Sequence, residues 1–263
     1  MVLYPTEPKL MSMRYFIELS YLGTSFSGWQ KQPHAHSIQR ELEQVFSTLL
    51  KQNTEIIGCG RTDAGVHASY YVAHVDLNAP PPDNFLHRAN RFLSPHIALH
   101  RMLPVPPDAH ARFSAIERSY EYHIHCRKNP FKQNLSYHFP FCHRLAFAKL
   151  QEAGRLIMQY EHFYPFCKSN SDARHMRCSL QRISWERSPD GSQLIFSISA
   201  NRFLRGMVRL IVGASLQIGL DKMPLEELQT ALERQSRLPK AWSVPAEGLY
   251  LTGVKYPPSL WQP

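Results

Sequence analysis

Along this chain the spacing of apolar residues switches between a period of two and a period of about 3.6, and the order of the switches leaves few folds open. Residues 14–21, RYFIELSY, alternate and are rich in aromatic and branched side chains, which predicts a strand. A Gly-rich turn, LGTSFSGWQKQP, follows. Ser37 then stands as an N-cap before Ile38, Leu42, Val45, Phe46, Leu49 and Leu50, which share one face of an amphipathic helix. A short strand over 53–57, a loop over 58–68, a strand over 69–77, a helix near 83–93 and a strand near 97–103 complete the first half. The order β-α-β-β-α-β is that of a ferredoxin-like unit.

A similar rhythm recurs after Phe113. Strands are predicted over 116–126, 177–185 and 193–200, the last two flanking SPDGS, an Asp-Gly hairpin signal. Helices are predicted over 145–160, 203–218 and 225–234, and a closing strand over 249–255. The chain therefore reads as α+β: two ferredoxin-like (RRM-like) halves sharing a central, mostly antiparallel sheet. The expected divisions are an N-terminal extension over 1–13, one half over 14–112 and a second over 113–263.

With 263 residues, 43% of them apolar and 19% charged, disorder and collagen are excluded. Of the 30 Lys/Arg and 21 Asp/Glu, 10 and 9 fall within residues 1–113, net +1, leaving 20 and 12, net +8, in the remainder. A balance this basic points to a polyanion, most commonly nucleic acid, and assigns phosphate contact to the second half. The five cysteines, Cys59, Cys126, Cys142, Cys167 and Cys178, are odd in number and widely spaced, so reduced thiols in a cytoplasmic protein are expected. MVLYPTEPKLMSMRYF lacks the apolar core of a secretory signal, and no run approaches the ~18 apolar residues of a membrane span.

The chemistry concentrates in Gly58-Cys59-Gly60-Arg61-Thr62-Asp63-Ala64-Gly65-Val66-His67-Ala68. Its glycines allow a tight backbone. It is not a dinucleotide-binding turn, because Asp63 stands where a third glycine is needed and would repel a pyrophosphate. The following VHASYYVAHVDL is strand-like rather than helical, and no G-K-[ST] marks a P-loop. What remains is a loop presenting one carboxylate, Asp63, two residues after Arg61. Such a carboxylate acts as nucleophile or base when fixed and desolvated, or simply caps a turn.

GRTDAGVHA resembles the signature of the TruA family of tRNA pseudouridine synthases, and four further motifs fall in the family's order. They are Gly23-Thr24, Phe26, Gly28-Trp29-Gln30 and Gln32-Pro33; Ala111-Arg112-Phe113-Ser114-Ala115 with Arg118-Ser119-Tyr120-Glu121-Tyr122; Asn201-Arg202-Phe203-Leu204-Arg205-Gly206-Met207-Val208-Arg209 with Gly213; and Pro245-Ala246-Glu247-Gly248-Leu249-Tyr250-Leu251. The chain departs from the pattern at Leu22, usually Asp, at Ser243-Val244, and at His162-Phe163-Tyr164-Pro165-Phe166-Cys167, where the family has a D-F-S-x-F region.

The resemblance implies an isomerase that converts uridine to pseudouridine at positions 38, 39 and 40 of the tRNA anticodon stem-loop. It implies an active-site cleft between the halves, no cofactor, no metal, no membrane, and a homodimer. Asp63 becomes the nucleophile, and Tyr120 the tyrosine that contacts the target uridine. Arg209 pairs with Asp63, Arg61 holds the flipped nucleotide, and Leu249 walls the pocket. Arg202, Arg205 and Arg209 fall at i, i+3 and i+7 and are expected on one helix face, the first two as phosphate contacts or a solvated stripe. Tyr122 is expected in the core. His96 with His100, and His123 with His125, lack metal-ligand spacing with a cysteine partner and read as ordinary histidines. An RNA-binding module without catalysis is the competing reading; it would not need Asp63.

Overall fold

The computed structural model describes residues 12–168 and 175–260. Most of the extension expected over 1–13 lies outside them. Among the described residues, nine strands form one sheet: β1 (Met13–Tyr21), β2 (Ile56–Gly58), β3 (His67–Leu77), β4 (Ile97–Val105), β5 (Glu117–His125), β6 (Tyr137–His138), β7 (Leu180–Arg187), β8 (Gln193–Ala200) and β9 (Leu249–Lys255). The strand order is β4-β1-β3-β9-β5-β8-β7, with β2 on β3 and β6 on β5. All pairings are antiparallel except β3–β9 and β5–β6. The helices are α1 (Ile38–Leu50), α2 (Phe85–Phe92), α3 (Phe147–Ile157), α4 (Met207–Gly219) and α5 (Leu225–Arg234). None is long and apolar enough to cross a membrane.

The edge of β3 is divided. Ile56–Gly58 cover Val75, His74 and Ala73, while Tyr250 and Leu251 of β9 pair with His67 and Ala68. β9 also runs antiparallel to β5, so it links β3 to the β5-β8-β7 ladder. Two apolar cores result. Phe16, Ile17 and Leu19 of β1, Ile38, Leu42 and Phe46 of α1, and Tyr71 of β3 fill one. Tyr122, Phe196, Leu150, Ile211 and Leu228 fill the other. Each fully buried side chain of this kind stabilises the fold by roughly 1.5–3 kcal/mol. β9 serves both cores, with Leu249 in one and Leu251 and Val254 in the other.

The period reading locates every helix and the main strands, and Ser37 caps α1 by accepting from Arg40 N at 3.3 Å. Ends shift: the strand expected over 53–57 is Ile56–Gly58, β3 begins at His67, and α2 and α3 lose residues at both ends. Two expectations fail outright. The helix expected over 203–218 starts at Met207, because Gly206 sits at φ 74°, a left-handed conformation that a helix cannot continue through. Arg202 and Arg205 therefore precede the helix and do not share a face with Arg209. The cysteines are not all reduced: Cys126 and Cys142 form a disulfide, with Cα atoms 5.5 Å apart. The pairing of β6 alongside the end of β5 carries the following turn back beside Cys126. Cys59, Cys167 and Cys178 are free.

Candidate active site

The loop between β2 and β3 is clamped from beneath by the Gly-rich turn after β1. Gly28 has φ 94°, and a Cβ there would lie 2.4 Å from Thr62 O, so only glycine lets the two backbones approach. Trp29 N donates to Thr62 O at 3.2 Å, and Tyr21 Oη and Thr62 Oγ1 are 2.8 Å apart in the core. The Tyr71 hydroxyl donates to Gly60 O, and the Tyr71 ring stacks on Trp29 at 4.1 Å. Val66 N closes the turn onto Asp63 O at 3.2 Å. His67 accepts from Gly23 N and reaches Glu247 O, which ties this loop to the segment leading into β9. Burial lowers the His67 pKa, so the ring is neutral and free to accept.

Arg118 on β5 supplies a second tie. Its guanidinium donates to the carbonyls of Cys59, Arg112, Ala115 and Asn201. One side chain thus joins the Asp63 loop, the Ala111–Ala115 stretch and the end of β8.

Asp63 lies at the surface of this frame with its side chain 32% exposed. Arg209 Nη1, from the first turn of α4, donates to Asp63 Oδ2 at 3.3 Å. Arg209 Nε is fixed by Val244 O at 2.7 Å, so its fork is aimed from both ends. Lys168 Nζ stands 3.8 Å from the same Oδ2. Among the described residues no donor reaches Oδ1. The carboxylate is therefore held by one oxygen and open at the other. Lys168 was not expected; it lies one residue past the stretch Phe163–Cys167, and nothing in its spacing marks it.

Tyr120 contacts both apolar cores and meets the Phe203 ring edge-on at 5.1 Å. Burial pushes its phenol well above the usual tyrosine range, and the nearby Cys59 and Asp63 add to the rise. Tyr122 is fully buried, donates to Pro245 O at 2.8 Å, and is core, as expected. Leu249 is buried at the start of β9, opposite Tyr122. Gly65 of the Asp63 loop adjoins Ala246, three residues before Leu249. Arg61 is exposed on the loop. Arg202 is half-buried and donates to the His175 ring at 3.0 Å, while Arg205 is exposed. His100 bonds Ser20, His123 bonds Glu121, and His125 bonds Ser136. Among the described residues no three His, Cys, Asp or Glu converge as metal ligands.

The model of the tRNA pseudouridine synthase family matches residues 19–114 and 161–257. tRNA pseudouridine synthase A of Porphyromonas gingivalis is 40% identical over 251 residues, covering 94% of this chain and 99% of its own length. That of Bacteroides fragilis is 40% identical over 95% of this chain and 98% of its own. That of Bacillus subtilis is 32% identical over 249 residues, 93% and 99% of the two chains. The chain belongs to the tRNA pseudouridine synthase family.

Proposed function

We propose that this protein isomerises uridine to pseudouridine in the anticodon stem-loop of tRNA, at positions 38, 39 and 40, with Asp63 as nucleophile. The observation that carries the reading is the asymmetry at Asp63: Oδ2 faces Arg209 and Lys168, and among the described residues no donor reaches Oδ1. A carboxylate paired with a fixed guanidinium, on a loop its scaffold cannot easily move, is suited to forming a covalent bond to a sugar or base carbon. The glycosidic bond breaks, the base turns, and a carbon–carbon bond replaces it. No redox equivalent, phosphoryl donor or metal enters that balance.

The remaining roles follow from position. The target base must leave its stack, which costs a few kcal/mol. The Tyr120 ring offers it a new stacking partner, Arg61 holds the displaced nucleotide from the exposed loop, and Leu249 walls the pocket. Arg202 and Arg205 contact phosphate. We assign residues 14–112 and 113–263 to two ferredoxin-like halves with the cleft between them. The strand orders β4-β1-β3-β2 and β9-β5-β8-β7 support this, since each is the order of that unit. The enzyme works in the cytoplasm as a homodimer on tRNA, whose stem-loop is read mostly by shape and backbone charge.

The test is to incubate the purified protein, in the presence of a chelator, with a tRNA transcript carrying uridine at these positions. Pseudouridine at one or more of them is the expected result. Binding without conversion would favour the non-catalytic RNA-binding reading.

A further inference from the structure

Among the described residues, Asp63 faces more positive charge than it can neutralise. Arg209 alone balances the carboxylate, yet Lys168 adds a second cation on the same oxygen. The two are held differently. Arg209 is hydrogen-bonded to Asp63 and to Val244 O. Lys168 Nζ, at 3.8 Å, is beyond hydrogen-bond reach of Oδ2 and makes no hydrogen bond among the described residues. Its backbone, by contrast, is anchored. Phe166 is fully buried, and Lys168 N donates to Arg205 O at 3.1 Å. The aliphatic stem lies over Gly206, where a Cβ would come within 2.8 Å of Lys168 Cγ and Cδ. A fixed stem thus delivers a loosely held ammonium to the nucleophile.

We infer that Lys168 is a catalytic residue that follows the negative charge as it passes from Asp63 to the uracil. The inference rests on Asp63 being the nucleophile. When Oδ1 bonds to ribose C1′, the N1–C1′ electron pair leaves on the uracil. When Oδ1 bonds instead to uracil C6, the C5–C6 π pair moves toward O4. In both cases the carboxylate becomes a neutral ester and the base carries the charge, with no proton moved and no co-reactant consumed. Lys168 then loses its partner on Asp63 while an anion forms within a few ångströms. A cation beside the reacting groups stabilises the developing charge, and a loosely held ammonium on a fixed stem needs only a small rotation to reach it. Arg209, pinned to Val244 O, cannot follow; Lys168, a flexible single-point donor, can.

The experiment measures single-turnover pseudouridine formation at saturating tRNA, together with tRNA affinity and thermal melting, for wild type, Lys168→Met and Lys168→Arg. Met keeps the stem over Gly206 and removes the charge; Arg keeps the charge. The saturated rate is expected to fall about tenfold to a hundredfold in Lys168→Met, with affinity and melting close to wild type, and to be largely retained in Lys168→Arg. An unchanged saturated rate in Lys168→Met overturns the role, whether affinity falls, as for a phosphate contact, or stays constant. Equal losses in both variants overturn it too, since they trace to the stem. A wild-type chain that makes no pseudouridine removes the Asp63 reading itself, an outcome distinct from these.

Discussion

Tyr120 combines a ring placed to stack and a hydroxyl that burial keeps protonated. A phenol held above its usual range is a poor base at neutral pH, which favours stacking by the ring as the role proposed for Tyr120. Base–aromatic stacking contributes about 1–3 kcal/mol. Tyr120→Phe is therefore expected to keep tRNA binding and most turnover, and Tyr120→Leu to lose turnover by about tenfold or more. Retention of full rate by both would return Tyr120 to the core. A second residue sets a pH limit on the fold. His74 accepts from Ala111 N at 3.1 Å, and burial, with Arg14 and His110 nearby, pushes its pKa from 6.5 down to about 4. Between those values the unfolded chain binds the proton that the folded chain refuses. The His74 contribution is thus intact above about pH 6.5 and is lost as pH falls toward 4. Melting temperature should drop across that window, and drop less steeply in His74→Gln; parallel curves would contradict the assignment.

Elements position Asp63, the proposed nucleophile, through close backbone approach, and glycine substitutions separate approach from mere composition. Gly28→Ala places a Cβ 2.4 Å from Thr62 O at a positive φ, which must displace the loop carrying Asp63. A shift of about 1 Å can cost roughly a hundredfold in turnover. Gly60→Ala, with nothing within 4 Å of its Cβ, is the matched control and should retain near-wild-type rate. Similar rates for the two would mean the clamp under the loop is unimportant. The same scale separates what was legible in the sequence from what was not. Alternation in RYFIELSY and the 3.6-residue stripe from Ile38 to Leu50 reflect burial on one face, which composition records directly, so β1 and α1 were readable. The spacing of Arg202, Arg205 and Arg209 assumed one continuous helix, and the left-handed turn at Gly206 breaks it. The Cys126–Cys142 bond depends on β6 alongside β5, a two-residue pairing too short to leave a period. Asp63 and Arg209 were readable through motif resemblance. Lys168 was not, because its stem reaches Asp63 across the fold and no local pattern encodes that.

For the whole molecule, charge and sheet geometry act together. Net charge is +9, almost all of it contributed by residues 114–263. Affinity for tRNA should fall linearly on a log–log plot against salt, as counterion release requires, and reversing Arg202 and Arg205 should flatten the slope. An unchanged slope would mean that those arginines do not contact phosphate. The central claim, however, is chemical: one carboxylate, held by Arg209 and presented by a clamped loop, forms the covalent bond. Asp63→Asn preserves shape and hydrogen-bonding reach while removing the anion. Since the loop is held through its backbone, by Trp29 N on Thr62 O and Val66 N on Asp63 O, and Asn can still accept from Arg209, fold and tRNA affinity should remain near wild type. The decisive measurement is pseudouridine formation by Asp63→Asn on a tRNA it demonstrably binds, with mass spectrometry excluding deamidation. The account predicts no detectable product; turnover near the wild-type rate would contradict it.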